Sequence, residues 1–184
     1  MVKKENRRLS KEDWLMAALK ICEEGIDKVK VAPLAAQMGV TSGSFYWHFK
    51  NRVELLDALL EFWEREMNDA PIAAAREFSG PPADRIFFVM ETVMTHSLAR
   101  YDLAIWHWAQ SDTNANCVFK RALKKRLTFA AWMFAEAGFS KEQAEIRGRM
   151  MVVYLMGELT LVPDSMTKRL EQLRHKHAIL LAQP

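Results

Sequence analysis

Cysteine is nearly missing from this 184-residue chain: Cys22 and Cys117 are the only two, far apart, so a disulfide scaffold is not expected. Both sit in helical patterns and read as buried free thiols. Glycine and proline are also scarce, 7 and 6 residues, which argues against disorder and loop-rich folds. β-branched alternation is sparse, so strands are not expected. No apolar run is long enough to span a bilayer; the longest, Met150 to Val162, contains Glu158. The start, MVKKENRRLS, has no apolar stretch after its charges and does not read as a secretory leader. A soluble, cytoplasmic protein with no membrane association is the expectation. Catalytic and metal signatures are lacking too. No nucleophile stands with a base and an orienting acid at a familiar spacing, and there is no glycine-rich phosphate loop. His175 and His177, two apart on a helix, point away from each other. Neither enzymatic activity, a cofactor nor a metal is expected.

What the chain has is helix formers. Half of it is hydrophobic, and Ala, Leu, Met, Glu, Lys and Arg dominate, so the fold class is all-α. The net charge of +3 is unevenly placed. Residues 1–52 hold ten bases and six acids, leaving a slight acidic excess in the remainder. A basic N-terminal region suits contact with phosphates.

The organising stretch is Val31 to Arg52. Leu34, Ala35 and Met38 mark one face of a short helix. Gly39 supplies a positive-φ turn and Val40 an apolar plug. Thr41 reads as the N-cap of a second short helix, its hydroxyl accepting from the amide of Gly43 or Ser44. Phe45 and Phe49 point inward, while Ser42, Gly43 and Ser44 keep the leading end thin. This is the pattern of a DNA-binding helix-turn-helix. Thr41, Ser42, Gly43, Ser44, Tyr46 and Trp47 are expected near base edges or sugars. Tyr46, His48, Lys50 and Arg52 are expected on phosphates. The alternative for His48 is a ring packed between helices.

Around this stretch, Ser10 with Asp13 forms a capping-box start for a first helix bearing Trp14, Leu15, Ala18, Leu19 and Cys22, stopped at Gly25. Asp27 to Lys30 form a loop, and Pro33 fits the first turn of the next helix. Lys3, Lys4, Arg7 and Arg8 form either a solvated terminus or a basic arm on DNA.

The run from Leu34 to Thr41, followed by Phe45-Tyr46-Trp47-His48-Phe49-Lys50-Asn51-Arg52-Val53-Glu54-Leu55-Leu56, resembles the TetR family of transcriptional regulators. The resemblance covers about the first third of the chain. Lys30 stands where the family usually has a capping Thr, and Pro33 is unusual there. The resemblance implies a three-helix DNA-binding domain over residues 1–52 and a larger helical ligand-binding and dimerisation domain over 53–184. It also implies that the fourth helix, capped by Asn51, is a pendulum whose far end, at Trp63 and Met67, lies near a small-molecule effector; plain core packing is the alternative for both. A ligand-released repressor of a near-palindromic double-stranded operator is the function to expect. The rivals are an all-helical small-molecule-binding protein or enzyme keeping a degenerate helix-turn-helix, and a nucleoid-type binder without an effector.

In the remainder, Pro71 is expected to break or kink the fourth helix, and Ser79-Gly80-Pro81-Pro82 to be a linker. Helices are expected from near Ala83, over Tyr101 to Ala109, over Val118 to Ala137 after a polar turn at Asp112 to Asn116, and over Ala144 to Leu161 behind a Ser140/Gln143 cap. A last helix comes after Asp164. Phe87, Met90, Met94, Trp106, His107, Trp108, Phe119 and Leu123 could line a pocket for an apolar or aromatic molecule, or could simply be core. His96 and His107 are its polar switch candidates. Lys120, Arg121, Lys124, Lys125 and Arg126 read as a solvated basic face, or one grazing DNA. From Met150 onward the penultimate helix is apolar almost all round, so a partner copy is expected to cover it. The last two helices would form a four-helix homodimer interface, with Gly157 permitting close approach.

Overall fold

The computed structural model describes residues 9–182, and among these every regular element is helical. The basic arm therefore lies outside the described residues. Helix α1 (Lys11–Cys22) opens with a reciprocal capping box. Asp13 N donates to Ser10 Oγ at 3.1 Å, and Ser10 N donates to Asp13 Oδ2 at 2.8 Å. It ends three residues before Gly25, and a 3-10 turn at Ile26–Lys28 occupies much of the expected loop. Helix α2 (Val31–Gln37) and α3 (Ser42–Phe45) flank Gly39, whose φ of 70° makes the sharp turn that glycine tolerates.

Helix α4 (Arg52–Glu64) is capped by Asn51, whose side chain accepts from Glu54 N. Pro71, expected to break or kink the helix, does not end it. The chain runs on through a π-helical segment, Arg65–Asp69, into α5 (Ala70–Glu77), giving one rod from Arg52 to Glu77. Proline has no amide hydrogen for the carbonyl four residues back, that of Met67. That carbonyl accepts instead from Arg126 Nη2 at 3.1 Å. The wider π turn, marked by Ala70 N donating to Arg65 O, takes up the mismatch.

The body consists of α6 (Pro82–Thr95), α7 (Asp102–Ala109), α8 (Thr113–Glu136), α9 (Lys141–Thr160) and α10 (Met166–Leu181). The expected polar turn at Asp112 to Asn116 is the first turn of α8, because Asp112 accepts from Ala115 N and caps it. Ser140 and Ser165 cap α9 and α10 in the same way. Two apolar cores result. One gathers Trp14, Leu19, Leu34, Phe45, Leu59 and Trp63, and runs past residue 52 into Ile105 of α7 and Phe119 of α8. The other joins Met90, Met133, Phe134, Met151, Leu155 and Leu173 across α6, α8, α9 and α10.

Helices α8 and α9 touch most closely at Gly148, where a β-carbon would lie 2.7 Å from the backbone nitrogen of Ala131. A β-carbon on Gly157, by contrast, would meet nothing within 4 Å inside the chain. Helix α9 buries Ala144, Met151, Val152 and Leu155, and leaves the apolar Ile146, Met150 and Val153 more than half exposed inside the single chain. Among the described residues no helix is long and apolar enough to cross a membrane.

Candidate nucleic-acid interface

At four residues, α3 is far too short to persist through its own hydrogen bonds. Its position comes from two inward rings. Phe45 and Phe49 are buried and stacked with centroids 5.3 Å apart, and Trp14 meets Phe45 edge-on at 5.6 Å. Burial of each such ring is worth about 1.5–3 kcal/mol. Lys11 Nζ caps the cluster, 5.1 Å from the centre of Phe49. Thr41 occupies the N-cap position, but its side chain makes no capping bond; its carbonyl accepts from Ser44 N instead. The hydroxyl is thus not consumed by the cap, contrary to the sequence expectation.

The outer face carries most of the expected contact residues. Thr41, Gly43, Tyr46, Trp47 and Lys50 are exposed, with Trp47 at 78%, while Ser42, Ser44 and His48 are half-buried. Tyr46 stands edge-on to Phe45 at 5.3 Å, and the His48 ring lies tilted beside Phe49 at 6.4 Å. Large exposed rings on a well-anchored turn are costly to solvate and suit a partner surface. Exposed Lys11, Lys20, Lys28, Lys30 and Lys50 share the surface of this unit with exposed Glu12, Glu23, Glu24 and Asp27.

Arg52 departs from this picture. Its Nε donates to Val29 O and its Nη2 to Ile26 O, both at 2.6 Å. The guanidinium ties the first turn of α4 to the 3-10 turn beneath it, so it reads as a staple of the unit rather than a phosphate ligand. The signal for this was faint, because carbonyls left open by a 3-10 turn are invisible in a sequence. Cys22 is buried as expected, and burial with the nearby Glu23 pushes its thiol up to about 11; Cys117, expected to be buried, is exposed.

Farther along the rod, the basic run of α8 is a solvated face except at Arg126: Lys120, Arg121, Lys124 and Lys125 are exposed. Arg121 and Lys125 both bond Glu64, and Lys125 also bonds Asp69 at 2.8 Å. The Arg121 hydrogen bond holds the Glu64 carboxyl below its ordinary range against the effect of burial. Arg126 turns inward. It grips the buried Asp102 through both Nη atoms, donates from Nε to Asn68 Oδ1 at 3.0 Å, and lies 5.5 Å from the Trp63 ring centre. Burial pushes the Asp102 carboxyl upward, against the pull of Arg126.

Beside this cluster is an apolar cavity of about 60 Å³, walled by Met67, Val93, Leu98, Met133, Met151 and Leu155, with Asn68 and Arg126 as its polar members. Of the residues expected to hold a ligand, Met67 alone lines it. Trp63 and Phe119 stack on each other in the first core, 6.1 Å apart, with Leu123 packed alongside; Met90 and Met94 are fully buried in the second. Trp108 is likewise buried in the first core. Phe87 meets His177 edge-on at 5.3 Å, and Trp106, His107 and His96 are exposed. Periodicity identified apolar positions correctly, but it cannot separate a residue that fills space from one that borders a void.

The profile described as "Bacterial regulatory proteins, tetR family" matches residues 16–59, the segment that builds α1 to α4. Residues 16–59 thus carry the N-terminal domain characteristic of TetR-family regulators. The AcrR transcriptional regulator of Shigella flexneri is 24% identical over 102 residues, 53% of this chain and 47% of that protein. The class D tetracycline repressor of Escherichia coli is 38% identical over 71 residues, 38% of this chain and 33% of the repressor. The chain thus aligns with a third to a half of the length of these curated TetR relatives. A transcriptional regulator from Rhodococcus sp. Rha1 has a similar fold over 94% of both chains, with a TM-score of 0.66 and 20% identity.

Proposed function

We propose that this chain is a ligand-responsive DNA-binding transcriptional regulator, acting in the cytoplasm as a homodimer and released from its operator by a small apolar effector. The observation that carries this reading is a single one. The exposed face of Thr41 to Lys50 directly precedes a helical rod, Arg52 to Glu77, whose later turns at Met67 to Ile72 wall an apolar cavity.

In this reading the aromatic cluster presses α3 against the major groove. Thr41, Ser42, Gly43, Ser44, Tyr46 and Trp47 meet bases or sugars, and Tyr46, His48 and Lys50 meet phosphates. Residues 1–52 supply the DNA-binding domain and 53–184 the ligand-binding and dimerisation domain. The half-exposed apolar stripe Ile146, Met150 and Val153 on α9, with Ile179 on α10, is the surface offered to a second copy. Two copies would place two α3 helices on half-sites about 34–36 Å apart, or a multiple of it, in a near-palindrome. An effector then acts by binding one placement of the rods better than another; without that differential affinity it shifts nothing.

The test is selection of genomic fragments by the purified full chain, followed by footprinting and titration with salt. A near-palindromic footprint with a steep salt dependence is expected. Val153→Glu should yield monomers in sedimentation and lose cooperative operator binding. Failure to retain any DNA leaves the all-helical small-molecule-binding protein as the better reading, and binding with no sequence preference points to a nucleoid-type protein.

A further inference from the structure

The cavity beside the π turn is nearly all carbon, yet one wall holds a guanidinium. We propose that it takes an uncharged apolar molecule bearing one hydrogen-bond acceptor, such as a ketone or ester, and that Arg126 recognises the acceptor. This rests on the ligand-responsive reading and names the class of its effector.

Arginine carries five N–H donors. Nε is taken by Asn68, one N–H of Nη1 by Asp102, and the two of Nη2 by Asp102 and the Met67 carbonyl. Among the hydrogen bonds of the described residues, the second N–H of Nη1 has no partner. In this proposal that N–H serves an acceptor entering the cavity that Arg126 lines, and it acts as a donor and not as a bare cation, because the charge of Arg126 is already balanced by the fully buried Asp102.

Charge then discriminates among ligands. A carboxylate would have to lose its water beside Asp102, with one guanidinium facing two anions. A cation would meet Arg126. A pure hydrocarbon would fill the space but leave the donor desolvated and unpaired. The neutral acceptor alone satisfies wall, donor and charge together.

Size supplies the link to the rod. About 60 Å³ is less than an aromatic ketone needs, so entry requires Met67, Met133, Met151 and Met156 to swing aside. Met67 lies within the π segment, and its carbonyl is held by Arg126 itself. The residue that reads the ligand therefore also grips the rod at its weakest turn.

The test compares three probes of similar size on the full chain by calorimetry: acetophenone, ethylbenzene and benzoate. Acetophenone should bind about tenfold more tightly than ethylbenzene, with benzoate weaker than acetophenone by at least about tenfold. In the double variant Arg126→Met with Asp102→Leu, acetophenone and ethylbenzene should bind within about twofold of each other. A wild-type preference for benzoate or ethylbenzene, or binding of none of the three, overturns the proposal whether or not the variant folds. DNA binding of the same wild-type preparation is read in parallel. Its loss overturns the regulator reading, whereas intact DNA binding with the wrong probe order overturns the ligand class alone.

Discussion

Removing Asp102 should be among the most damaging single changes available to this protein. Its side chain is 1% exposed and that of Arg126 15%, so Asp102→Leu strands a guanidinium away from water. Breaking such a buried pair costs about 3–5 kcal/mol. For a chain of this length that is a fall in Tm of roughly 6–20 °C, at about 2–4 °C per kcal/mol. Arg126→Met should cost a similar amount. It leaves a buried carboxylate without its cation and takes the donor from Met67 O and Asn68 Oδ1. The two losses share one cause, so the double variant should be less damaged than their sum by at least about 2 kcal/mol. Urea denaturation of the four proteins, at a fixed protomer concentration because association shifts apparent stability, gives the coupling directly. Additivity within about 0.5 kcal/mol would refute the buried latch.

At the α8–α9 contact, Gly148→Ala drives a β-carbon against the backbone at Ala131; overpacking of about 1–3 kcal/mol outweighs the roughly 1 kcal/mol that alanine returns in helix propensity. A thermal melt showing a gain in stability would rule that contact out. Arg52→Ala should lower stability by about 1–2 kcal/mol through loss of its two carbonyl bonds, whereas Lys50→Ala should leave the melt unchanged and reduce the salt slope of DNA binding by about one. The reverse pattern in paired melts and binding titrations would exchange their roles. The Glu64 carboxyl is held below its ordinary value, so its contribution is present above that value, 4.5, and fades as the pH falls below it. Urea midpoints across this acid range should fall less steeply for Glu64→Gln than for the wild type, and parallel curves would show that the Arg121 contact contributes nothing.

Local signals carried far in this chain. Ser10 with Asp13, Asn51 and Ser140 cap the helices they announce, Gly39 takes positive φ where its helix stops, and Phe45 and Phe49 sit in the core. What stayed hidden depends on partners distant in the chain. Arg126 looks like its basic neighbours until Asp102, 24 residues away, and Asn68, 58 away, close around it. Pro71 can sit within the rod only because Arg126 donates to the carbonyl that the proline leaves orphaned. Gly148 drew no reading from the sequence, where a glycine within a helix shows only as a loss of helix propensity. The neighbouring helix that needs it cannot be read from spacing. The cavity was illegible for a similar reason: a void is defined by how helices fail to meet.

The two rings beneath α3 have a consequence for how this protein could diversify. They hold the turn from below, so exchanges at the outward positions Ser42, Gly43 and Ser44 leave its buried anchor in place. A lineage can exchange those letters and acquire a new target sequence while its scaffold stands unchanged.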